Sequence, residues 1–165
     1  MERALDARPP AVEGRVGYRE EIHHPAMAAP EVARGWFARG RDGELVRHQS
    51  EPQAETLEIG ERFVRLSRES DGYSNTVPIP ADLAPYLRIL RALVADDRAG
   101  LSEALEGFDR RFEAGKAGWT VSLTARDGAG GARQMVLAGC GDLLRSAEWR
   151  LPDGSRRRYL FAEAP

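Results

Sequence analysis

The sequence predicts an α+β protein: a curved, incomplete antiparallel β-barrel of about ten strands in a meander, with two helices covering its concave face. Three observations predict it. Short segments of two-residue alternation recur on both sides of the chain's middle, punctuated by Asp-Gly and Gly-rich turns. One long segment, residues 79–108, has helical period instead. The connections between alternating segments are too short for parallel crossovers. A long meander twists and curls, and its apolar face needs cover that only the helical segment can supply.

Taken in order, residues 1–12 hold at most one helical turn, ended by Pro9-Pro10. Alternation starts at Gly14, with Val16, Tyr18 and Ile22 facing one way and Arg15, Arg19 and Glu21 the other. Residues 23–31 read as a loop marked by Pro25 and Pro30. A strand through Gly35-Trp36-Phe37 turns at Asp42-Gly43 into Glu44-Leu45-Val46-Arg47. Residues 56–59 and 63–67 form the next pair around Gly60-Glu61, and Asp71-Gly72 ends the block.

In the helical segment, Leu83, Leu87, Leu90 and Val94 make one apolar stripe, with Tyr86, Ile89 and Leu93 beside it. Asp82 is placed to cap the first turn, where Pro85 lacks an N–H that would go unpaired anyway. Asp96-Asp97 and Gly100 interrupt the pattern, and Asp97 is placed to cap a second helix carrying Leu101, Leu105 and Phe108. Strands resume at 110–115. Trp119, Val121, Leu123 and Ala125 then alternate cleanly with Thr120, Ser122, Thr124 and Arg126. Asp127-Gly128 turns into 134–138, and the run Gly139 to Asp142 turns again. Leu143, Ala147, Trp149 and Leu151 alternate in the next strand, and Asp153-Gly154 leads into the last, 157–161.

At 165 residues the chain reads as one domain, 1–165, with a helical plug or lid at about 80–108. A net charge of -2 gives no bulk attraction to nucleic acid or anionic membrane. The single Cys140 cannot form an internal disulfide and is expected to be a small buried hydrophobe. Nothing approaches the roughly 20 apolar residues of a membrane span. His23-His24 lacks further ligands at metal-binding spacing, and Gly128-Ala129-Gly130-Gly131 lies between strands, not before a helix. No serine sits on a strand–turn–helix elbow. Arg156-Arg157-Arg158 reads as a solvated edge strand. No catalytic set, metal site or cofactor is expected.

If helices and sheet do not pack to full density, an apolar cavity remains between them. Its candidate walls are Leu87, Leu90 and Val94 from the helix, and Trp36, Leu45, Leu57 and Phe63 from the early strands. The later strands add Trp119, Val121, Leu123, Met135, Leu137 and Trp149.

In order, these motifs resemble the LolA-like outer-membrane lipoprotein carriers. Tyr18-Arg19-Glu20 stands for the family's aromatic-x-Glu strand, and Gly35 to Pro52 for its Gly-led, arginine-bearing hairpin. Ile59-Gly60-Glu61-Arg62-Phe63, Trp119-Thr120-Val121-Ser122-Leu123 and Asp153-Gly154 stand for the remaining strand pairs. The match spans almost the whole chain. Three departures suggest a divergent, LolA-related branch, the first being that the family's long first helix and leader are short or absent here. Arg41, at the family arginine, precedes Asp42-Gly43 and not proline, and Arg47 stands where an aromatic is common.

The resemblance implies a non-catalytic periplasmic carrier. The candidate wall residues would bind the acyl chains of a lipoprotein or other acylated lipid. Arg41 would lock the lid helices by reaching their backbone carbonyls. Inner-membrane donor and outer-membrane acceptor proteins would be partners, and nucleic acid would not. The charged N-terminus is not a signal peptide, so the leader would be absent from this sequence. An arginine-rich last strand at the barrel's edge argues for a monomer. Two alternatives keep the same shape: a structural or interaction module with a fully packed core and no ligand, and a small-ligand enzyme.

Overall fold

The computed structural model describes residues 2–81, 83–126 and 134–163. A single turn, α1 (Glu2–Leu5), precedes six strands: β1 (Val16–His23), β2 (Glu31–Arg39), β3 (Leu45–Glu51), β4 (Glu55–Ile59), β5 (Phe63–Arg68) and β6 (Tyr73–Pro78). Two helices follow, α2 (Ala84–Ala95) and α3 (Arg98–Leu105). Five strands complete the chain: β7 (Phe108–Gly115), β8 (Gly118–Ala125), β9 (Gln134–Cys140), β10 (Leu143–Arg150) and β11 (Arg156–Glu163).

All eleven strands belong to one sheet, in the order β6-β5-β4-β3-β2-β1-β11-β10-β9-β8-β7. Every strand pairing is antiparallel. The first strand pairs with the last, from Val16↔Glu163 to His23↔Arg156. That pairing joins the two halves of the meander, so the free edges are β6 and β7. These are the strands on either side of the helical insertion. The barrel is open where the chain leaves the sheet to build α2 and α3.

Three expectations change here. The strand count rises by one because β6 was absent from the sequence reading. All six of its residues are exposed, so it carries no apolar alternation to betray it. The arginine-rich last strand is not an edge: β11 lies between β1 and β10. The free edges are protected by other means. β6 ends in Pro78, and β7 carries Asp109, Arg110, Arg111 and Glu113 on its exposed length. The second helix also stops earlier than its apolar spacing suggested, and Phe108 opens β7.

Helix α2 has Pro85 in its first turn and no side-chain cap at Leu83. The expected capping residue, Asp82, lies outside the described residues, as do the turn at Asp127-Gly128 and the glycines after it. Asp97 caps α3 as expected, accepting from Gly100 N at 2.9 Å. Between the helices Asp96 takes a left-handed conformation, φ 53°. Its carboxylate pairs with Arg8, and this hydrogen bond holds the Asp96 pKa below the usual carboxylate range. Arg8 in turn is tied to β10 through Arg8 N to Asp142 O, 3.0 Å, and Leu144 N to Arg8 O, 2.8 Å. The N-terminal segment thus fastens the end of α2 to the sheet.

Both apolar stripes of α2 are covered. Tyr86, Ile89, Leu90 and Leu93 are buried, while Leu83 and Val94 are half-buried. Cys140 is exposed, contrary to expectation, because it falls on the outward phase at the end of β9.

Candidate functional site

A cavity of about 490 Å³ lies between the Leu83–Leu87–Leu90 edge of α2 and the sheet. Its apolar walls come from Ile22 on β1, Phe37 on β2, Leu57 and Ile59 on β4, and Val64 on β5. Trp149 on β10, Tyr159 on β11 and Leu151 complete them. The volume falls within the roughly 300–1,000 Å³ typical of small-ligand sites.

Four of the thirteen wall residues named from sequence line this space: Leu57, Leu87, Leu90 and Trp149. Leu45, Trp119, Val121, Leu123, Met135 and Leu137 are buried in the core but do not line it, and Val94 packs half-buried against that core. Trp36 and Phe63 are misplaced. Each sits one residue out of phase, on the convex face, where Trp36 stacks on His48 with ring centroids 4.9 Å apart and Phe63 is 55% exposed. Their neighbours Phe37 and Val64 point inward instead.

One part of the concavity is charged. Glu20 on β1 is 1% exposed and Arg47 on β3 is 6% exposed, and the two form a buried ion pair through Arg47 Nη2 and Glu20 Oε2. Arg47 Nη2 also donates to Gln49 Oε1 at 3.1 Å, and Gln49 Nε2 to Gln53 O at 3.0 Å. From β11, Arg157 Nε stands 3.0 Å from Glu20 Oε1, close enough for an ion pair but not aligned as a hydrogen bond. The Arg47 guanidinium lies over the Tyr18 ring, 5.2 Å from its centroid. Gly35 makes room for this arrangement: a Cβ there would meet His48 O at 1.8 Å and the Tyr18 hydroxyl at 2.8 Å.

Burial alone would lower the Arg47 pKa, but Tyr159, Glu20 and Tyr18 outweigh it and the pKa is raised. Arg47 is therefore a fixed cation. Burial, reinforced by the Glu20 carboxylate, pushes the Tyr159 hydroxyl up to about 12. Burial likewise raises Tyr18, with Arg47 opposing.

Arg47, Arg156, Arg157 and His24 line the cavity, and among the described residues no carboxylate does. Two buried donors in these walls, Arg47 Nε and Trp149 Nε1, have no hydrogen-bond partner among the described residues. Leaving such a donor unpaired costs about 1–3 kcal/mol each. Among the described residues no group of three or more metal-ligating side chains forms.

Sequence reasoning did not assign Glu20, Arg47 or Arg157 to the site. A signal was present: each shares strand phase with apolar inward residues, Glu20 with Tyr18 and Ile22, Arg47 with Leu45, Arg157 with Tyr159. Arg41 lies exposed in the β2–β3 turn and forms no hydrogen bond or ion pair among the described residues.

Fold and site together define an incomplete antiparallel barrel with an apolar cavity inside its curve. A LolA superfamily protein from Nitrosomonas europaea is similar at TM-score 0.46 and 11% identity, over 98% of this chain and 89% of that one. LprF from Mycobacterium bovis is similar at TM-score 0.38 and 13% identity, over 96% and 86%. A DUF1329 family protein from Desulfovibrio piger is similar at TM-score 0.43 and 9% identity, over 90% and 82%. No protein-family model and no curated protein matches the chain.

Proposed function

We propose that this chain is a non-catalytic carrier that shelters an acyl chain of an amphiphilic cargo in the cavity beside α2. The observation that carries this reading is the cavity itself: about 490 Å³ walled mainly by Leu, Ile, Val, Phe, Tyr and Trp side chains inside an open barrel. Each methylene moved from water into such walls gains roughly 0.8 kcal/mol, so a partly enclosed chain is held firmly without any reaction. Release requires α2 to move or the cargo to meet a better site. The cargo is a lipoprotein or another acylated lipid. The route runs through the periplasm, from an inner-membrane donor to an outer-membrane acceptor, and the carrier acts as a monomer. Arg41, at the tip of the β2–β3 hairpin, is the residue proposed to engage the helices when the lid shuts.

Native mass spectrometry of protein gently purified from membrane-bearing cells tests the reading. Co-purified lipid of one acyl class is expected. A bare mass, with no uptake of added fluorescent fatty acid, would favour a packed interaction module. Fractionation of cells expressing the full native reading frame tests the location, and recovery in the cytosol alone would remove the periplasmic route.

A further inference from the structure

The cavity is not uniformly apolar: three arginines, Arg47, Arg156 and Arg157, line it, together with His24, the Trp149 indole and the hydroxyls of Tyr159 and Ser155, the last already donating to Asp153 Oδ1 at 2.5 Å. Glu20, buried behind Arg47, balances one of the three arginine charges. Arg156 has no ion-pair partner among the described residues. A site meant only for hydrocarbon gains nothing from a buried guanidinium, whose desolvation opposes burial. Arg47 Nε on β3 and Trp149 Nε1 on β10 are both buried and have no hydrogen-bond partner among the described residues, and both residues line the cavity. Unpaired donors beside excess positive charge suit an incoming oxyanion, which would neutralise the arginines and accept from a donor that turns toward it.

We propose, resting on the carrier reading above, that the cargo is an anionic amphiphile. Its carboxylate or phosphate head would be received by Arg47 and Trp149, with Arg156 and Arg157 at the same end. Its acyl chain would run against Leu57, Leu83, Leu87 and Leu90. The head-group contact supplies selection, because a neutral lipid of equal chain length leaves the donors unpaired. Glu20 acts as a positioning residue: it holds Arg47 and Arg157 toward one point and keeps the empty site from carrying three unbalanced charges.

The test is displacement of a neutral naphthylamine dye from the full chain by four competitors: oleate, oleoyl lysophosphatidate, monoolein and inorganic phosphate. Oleate and lysophosphatidate should compete at concentrations about ten-fold or more below monoolein, as a charge-assisted hydrogen bond predicts. Whichever of the two is stronger identifies the head group as carboxylate or phosphate. Trp149→Phe should reduce that advantage several-fold while keeping the ring. The paired change Glu20→Gln with Arg47→Met, which leaves no lone buried charge, should bring it close to one. Monoolein competing as well as oleate against the parent would overturn the inference and leave the carrier reading standing. Displacement by inorganic phosphate alone would also overturn it, since the site would then take a free anion. Failure of the dye and every lipid to bind would overturn both.

Discussion

Two sides of α2 face interiors of different kinds. Toward β8 and β9, Val121, Leu123 and Met135 are fully buried, Leu137 is 2% exposed, and Tyr86 meets Phe108 edge to face at 5.2 Å. Toward β4 and β5, Leu57 and Val64 are only half-buried and border about 490 Å³ of space. The residue types are the same, so composition does not distinguish them. What differs is that the hollow side shares its concavity with the Glu20–Arg47–Arg157 cluster, which no apolar side chain can fill. A packed side anchors the helices to the sheet, and a hollow side leaves room beside them.

The charged cluster offers the first probe. Arg47→Met alone leaves the buried Glu20 with only the half-exposed Arg157 as partner and should cost about 3 kcal/mol. Replacing Glu20 by Gln at the same time should recover much of that loss in urea titrations. Equal losses for the single and double variants would mean that the pair is not coupled.

Next come large-to-small changes on the two sides. Leu123→Ala should cost about 2–5 kcal/mol, whereas Leu57→Ala should cost roughly 1 kcal/mol, since its site is already open. Leu90, buried yet bordering the cavity, should fall between them and alter fatty-acid uptake. Similar losses at Leu57 and Leu123 would erase the contrast.

Alkaline pH offers a third probe. Tyr159 is raised from 10.0 to about 12 by burial, so the folded chain keeps a proton that the unfolded chain loses. Its contribution is fully present below pH 10 and should fall by about 1.4 kcal/mol per pH unit until pH 12. The measurement is urea unfolding across this window with the tyrosinate absorbance followed in parallel. Ionisation well below pH 12 without unfolding would show that the ring is accessible.

The smallest expected effect on stability is at Arg41. Arg41→Leu should change stability by less than about 0.5 kcal/mol. It should slow cargo transfer to acceptor membranes if Arg41 engages the closed lid. Unchanged transfer would leave the lid to apolar packing and to the Arg8–Asp96 tie.

Much of the frame was readable before any coordinates. Alternation located β1 to β5 and the later strands, the Asp97 cap was placed correctly, and the two stripes of α2 are both covered. The misses have separate causes. Trp36 and Phe63 each lie one residue off the inward phase that Phe37 and Val64 occupy. β6 has no apolar phase to read, and Arg157 was assigned to solvent because its strand was taken for an edge.

The sequence by itself determined the meander, the helical insertion and the apolar faces, because strand period, turn chemistry and helical period are local properties of the chain. Only the tertiary structure decided that β1 pairs with β11, that the barrel opens between β6 and β7, and that α2 buries Tyr86 against Phe108 while its Leu87 and Leu90 border the cavity toward β4 and β5. Those depend on which distant segments meet and how their volumes sum. A charge on an inward phase becomes a buried ion pair only when a partner 27 residues away in sequence is folded against it, as Arg47 is against Glu20.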